Sequence, residues 1–81
     1  MKRRVFTLRW DRTLAAWLIK RGTHTIIGGA PTRQAALRLA TAHCRRLAAR
    51  DVACQLVIFN RGNQRISEER TYLHDPRRYP G

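Results

Sequence analysis

Acidic side chains are what this sequence has least of: 5 Asp and Glu stand against 17 Lys and Arg, for a formal net charge of +12 at pH 7. The acids are Asp11, Asp51, Glu68, Glu69 and Asp75. Glu68 and Glu69 are adjacent in a segment that reads as a strand, so their side chains point to opposite faces and cannot form a catalytic carboxylate pair. Each acid also lies among arginines, which keep a carboxylate ionised and make it a poor general acid. His24, His43 and His74 are the only histidines, and no Ser, Cys or Asp stands at a spacing that marks a triad. The sequence therefore predicts a protein that is not an enzyme and has no small-molecule substrate.

Cysteine is scarce as well. Cys44 and Cys54 are too few for the disulfide framework of a small secreted domain, and both are expected reduced and buried. His43 and Cys44 would be neighbours on a helix, about 100° apart, and there is no C-x-x-C or H-x3-H spacing, so no metal or other cofactor is expected. Long apolar runs are missing too. The basic start, Met1, Lys2, Arg3, Arg4, is followed within a few residues by Arg9, Asp11 and Arg12, which breaks any signal-peptide core. Nothing approaches the ~18 apolar residues of a membrane span. The expected location is the cytoplasm, with no membrane partner.

What is abundant is arginine. Among the 17 cationic residues only Lys2 and Lys20 are lysine. Arg carries a planar fork that matches phosphates and guanine edges. A GC-rich coding sequence would favour Arg over Lys, but it accounts less well for the shortage of acids. Such a charge speaks about partners and not about fold.

With 81 residues the chain is one domain, with a folded core expected over about 4–73 and frayed ends at 1–3 and 74–81. Residues 5–10 alternate, with Phe6, Leu8 and Trp10 on one face and Thr7 and Arg9 on the other, which predicts a half-buried strand. Asp11, Arg12 and Thr13 turn the chain into a second strand over about 16–20, with Trp17 and Ile19 on one face. A short third strand is expected over 23–27. Gly28, Gly29, Ala30 and Pro31 read as a loop. The loop stands before a helix start that could hold a phosphate, but it lacks the Gly-Lys-Ser/Thr ending of a P-loop and is expected to be a plain connection.

Thr32 is a good N-cap. From Arg33 to about residue 50 the period becomes helical: Ala36, Leu37, Ala40, Cys44, Leu47 and Ala48 share one face. Residues 54–59 are apolar on both faces and read as a central strand. Turn chemistry over 60–64 then leads to a polar last strand over 65–72. The expected fold is α+β, a small antiparallel sheet in the order β-β-(β)-α-β-β with one amphipathic helix on one face. Phe6, Trp10 and Trp17 are expected in the core. If Leu56 and Ile58 face the helix, Val57 and Phe59 face away, or the reverse. With no second helix to cover the other face, Val57 and Phe59 are candidate homodimer contacts.

The C-terminal half carries a resemblance. Leu56, Val57 and Ile58 are followed by a turn with Gly62, then by Arg65, Ile66, Ser67, Glu68, Glu69, Arg70, Thr71 and Tyr72, and by Asp75 and Pro76. With Trp17, Thr32, Ala36 and Ala40 these residues resemble the bacterial family known as domain of unknown function 2188. The resemblance spans nearly the whole chain. Three departures stand against it: Gly62 lies two residues early, Leu73 replaces a glycine, and residues 20–31 match more loosely. The resemblance implies a fold and a bacterial or phage origin. It implies no activity, and it transfers no functional residue.

The remaining candidates are basic. Arg38, Arg45 and Arg46 would mark a helix face, Arg9 and Lys20 the outward sheet face, and Arg61 and Arg65 a hairpin tip. Each could grip phosphates of DNA or RNA. The expected function is a non-enzymatic nucleic-acid-binding module, with a protein–protein or homodimerisation module as the alternative.

Overall fold

The computed structural model describes residues 3–22, 24–63 and 65–72. Thr23, Gln64 and the tail with His74, Asp75 and Pro76 lie outside the described residues, as do the expectations that fall on them. The elements are β1 (Arg3–Asp11), β2 (Ala16–Arg21), β3 (Thr25–Ala30), α1 (Arg33–Ala48), β4 (Ala53–Phe59) and β5 (Ile66–Tyr72). This is the expected α+β arrangement, five strands and one covering helix. Arg3, expected in a frayed end, opens β1.

The strand order is β3-β2-β1-β4-β5. The first three strands form an antiparallel meander, with Trp10 opposite Trp17 and Leu18 opposite Gly29. The central pair, β1 with β4, is parallel, so the sheet is mixed and not wholly antiparallel. The reason is directional. Three strands of a meander end where the first one ends; the helix carries the chain back, and β4 must then start beside the start of β1. β5 returns antiparallel along β4, with Ile58 opposite Glu68.

A second correction concerns Gly28, Gly29 and Ala30, which belong to β3 and not to a loop. A side chain on Gly29 would meet the Trp17 carbonyl oxygen at 3.0 Å and the Leu18 side chain at 3.1 Å. The glycine is there because Leu18 folds over it. One bulge falls in this pair, where Ile19 faces Gly28 and Lys20 faces Ile26.

Helix α1 starts where Thr32 accepts a hydrogen bond from the Ala35 N–H at 3.1 Å. At its end the Val52 N–H donates to the Leu47 carbonyl at 2.9 Å and the Asp51 N–H to the Ala48 carbonyl at 3.0 Å. Asp51 has φ +62°. This is the Schellman pattern, with Asp51 at the left-handed position that glycine usually takes.

The core lies between α1 and one sheet face: Phe6, Leu8, Trp17, Ile19, Cys54, Leu56 and Ile58 against Ala36, Ala40 and Cys44. The small helix residues let the backbone approach the large strand residues. Trp10 packs at the margin of this cluster, only half-buried. Leu56 and Ile58 thus face the helix, while Val57 and Phe59 face away.

Candidate nucleic-acid interface

The helix covers the centre of the sheet and leaves the edge strand β5 partly open. A groove of about 330 Å³ runs between them, lined by Gln34, Leu37, Arg38, Thr41, Ala42, Arg45 and Arg70. Arg38 and Arg45 are seven residues apart, two helical turns, and so stand on one face about 10 Å apart along the axis. Arg70 comes from β5, opposite Leu56, on the face that the helix covers. Its Nε donates to the Glu68 carboxylate at 2.6 Å. That bond, followed by the charge of Arg70 and then that of Arg33, holds the Glu68 carboxyl below the usual carboxylate range. The groove therefore carries three guanidinium groups among its walls, a threonine hydroxyl and a glutamine amide, with one ionised acid beside it.

The structure sorts the other basic residues into separate places. Arg46, expected with Arg38 and Arg45, lies one residue and about 100° further round the helix. It does not line the groove. It joins Arg21 and Arg4 near His43, where burial first and these three charges next hold the imidazole below its ordinary pKa. Arg9 and Lys20 lie together on the face away from the helix, beside Leu18 and Asp11. The Arg9 guanidinium sits 4.5 Å over the Phe59 ring. Arg61, in the β4–β5 turn, stacks 4.0 Å over Trp10. Arg65 closes that turn through its backbone: its N–H donates to Asn63 Oδ1 at 3.0 Å, and its carbonyl accepts from the Asn60 N–H at 2.7 Å.

Sequence reasoning missed Arg70. Its signal was available in the alternation of β5, which sends Glu68 and Arg70 to the helix side. Glu69 goes to the other face, where its carboxylate accepts from the Gln55 amide. Val57 is 9% exposed and Leu18 7% exposed although both face away from the helix. Phe59 is half-buried beneath Arg9.

Both cysteines are free and buried. Burial, with a smaller contribution from the neighbouring Cys54, pushes the Cys44 thiol up to about 12. Neither thiol is a nucleophile at neutral pH. No three His, Cys, Asp or Glu side chains come together among the described residues, and no described helix is long and apolar enough to cross a membrane. Comparison with protein-family models, with curated proteins and with solved structures finds no match to the chain, so the resemblance drawn above rests on its own residues.

Proposed function

We propose that the protein binds nucleic acid without catalysing a reaction, through phosphate contacts in the groove between α1 and β5. The observation that carries this reading is the convergence of Arg38, Arg45 and Arg70 on one groove from two elements. Guanidinium forks about 10 Å apart along a helix match phosphates spaced along a strand, which rises about 3.4 Å per nucleotide. Such contacts fix position and carry little sequence information. The net charge of +12 would draw the polyanion in from a distance. The cytoplasm of a bacterial cell is the setting this reading assumes.

The test is fluorescence anisotropy with labelled duplex and single-stranded oligonucleotides over a salt series. Three phosphates on duplex would give a slope of log K against log salt of about −2.7, at 0.9 per phosphate. Arg38→Glu and Arg45→Glu are each expected to weaken binding at least tenfold and to flatten the slope by about one. Unchanged affinity in a folded Arg38→Glu, Arg45→Glu double variant would remove the groove as the binding surface.

Homodimerisation through Val57 and Phe59 is less favoured by the geometry. Val57 is already covered within one chain, and a partner would have to displace or bury the Arg9 guanidinium over Phe59, a costly desolvation. A concentration-dependent mass that Phe59→Arg abolishes would restore that reading.

A further inference from the structure

The parallel pairing of β1 and β4 brings their C-terminal ends to the same end of the sheet. The β1–β2 and β4–β5 turns therefore lie side by side. Between them opens a cleft of about 650 Å³ lined by Trp10, Arg12, Arg61 and Gly62. That volume is in the range of small-ligand sites, roughly 300–1,000 Å³. Among the described residues, no carboxylate lines it.

The cleft has a flat, positively charged floor. The Arg61 guanidinium carbon lies over the Trp10 indole, 4.0 Å from the ring centroid. Trp10 is braced in turn by Trp17, edge-on at 5.9 Å and 67°, and Trp17 is fixed in the core at 5% exposure. The guanidinium thus lies over the indole ring that floors the cleft. Arg12 stands exposed on the opposite turn. On the near rim, a side chain at Gly62 would find no atom within 4 Å, so the approach is open.

A bare inorganic anion would need only the two charges. A stacked plane beside two charges matches a ligand that is itself a plane joined to an anion. We infer that this cleft binds a nucleotide unit, its base stacked on the Arg61–Trp10 pair and its phosphate held by Arg12 and the N–H edge of Arg61. Unpaired bases stack on aromatic rings and on guanidinium planes alike. The unit is either a free mononucleotide or an unpaired residue of a single strand. The site shares no residue with the α1–β5 groove and does not depend on it.

Tryptophan fluorescence tests this directly, because Trp10 forms the floor. The titrations use the full chain carrying Arg38→Glu and Arg45→Glu, so that groove binding contributes nothing, at about 100 mM salt. The probes are adenosine monophosphate, adenosine, inorganic phosphate and a short oligodeoxyadenylate. Saturable quenching is expected with the monophosphate, at least tenfold weaker quenching with adenosine, and none with phosphate. Arg61→Ala, an exposed change that leaves the core intact, is expected to weaken the monophosphate at least tenfold, and Trp10→Phe to remove the signal. Tighter binding of the oligonucleotide than of the monophosphate supports the site as a single-strand reader; the reverse supports it as a mononucleotide site. Absence of saturable quenching by either, or quenching untouched by Arg61→Ala, overturns the inference. Failure here alongside loss of duplex binding in the groove variant would leave the groove reading standing, and the converse would leave this one.

Discussion

His43 sits with its ring edge-on to Phe6, centroids 5.1 Å apart, at the margin of the core. Burial and then the charges of Arg46, Arg21 and Arg4 lower its pKa from the ordinary value of 6.5. The linkage sign follows. Above pH 6.5 the ring is neutral in both states and its contribution to stability is complete. As pH falls below 6.5 the unfolded chain takes up the proton first, and stability drains away until the folded-state pKa has been passed. Denaturant midpoints are thus expected to be level from about pH 8 to 7 and to drop as the pH falls below about 6.5. His43→Gln should flatten that drop; an equal drop in the variant would assign it to other groups. None of this was legible in the chain, where His43 is one polar letter on the flank of a helix. Only the fold brings Arg4 and Arg21, from β1 and β2, up to it. The same holds for Trp10, whose period placed it with Phe6 and Leu8. Its position at the end of the row, where α1 no longer covers it, leaves its ring open to Arg61.

At the scale of elements, the helix stop is a strained join. Asp51 holds φ +62°, a conformation costing roughly 1 kcal/mol for a residue with a Cβ. Asp51→Gly is expected to raise stability by about 0.5–1 kcal/mol, read as a higher denaturant midpoint at unchanged slope. A lower midpoint would mean that the carboxylate makes a contact worth more than the strain. The helix itself was readable to within two residues from Thr32 and the spacing of Ala36, Ala40 and Cys44. Strand β3 was read short because Gly28 and Gly29 carry the chemistry of a turn; what they serve is the room taken by Leu18 on the neighbouring strand, a tertiary fact. The parallel centre of the sheet was missed for a different reason. Strand periodicity says which residues share a face but not which way the chain runs. Counting three strands before one returning helix would have given the direction. In the groove, Arg38 and Arg45 were visible as a seven-residue repeat. Arg46 was grouped with them by proximity in sequence, and Arg70 was lost in a strand that read only as polar.

For the whole molecule the governing quantity is the imbalance of 17 cations over 5 acids. Folding brings those charges closer together, so the compact state repels itself more than the unfolded one does. Screening should relieve this. Raising sodium chloride from about 20 to 200 mM, which shortens the Debye length from roughly 20 Å to under 10 Å, is expected to raise the melting temperature by about 5 °C. A fall with salt would instead show that attractive pairs such as Glu68–Arg70 outweigh the repulsion. The joining of β1 to β4 has a further consequence, in time. β1 finds its parallel neighbour β4 only once Leu56 has been made and comes to lie beside Phe6. At ribosomal speeds of about 5–20 residues per second, β1 waits roughly 2–10 s for that partner. The β1–β2–β3 meander spends that interval with its core face uncovered, when the mutual repulsion of its arginines opposes the approach of one such chain to another.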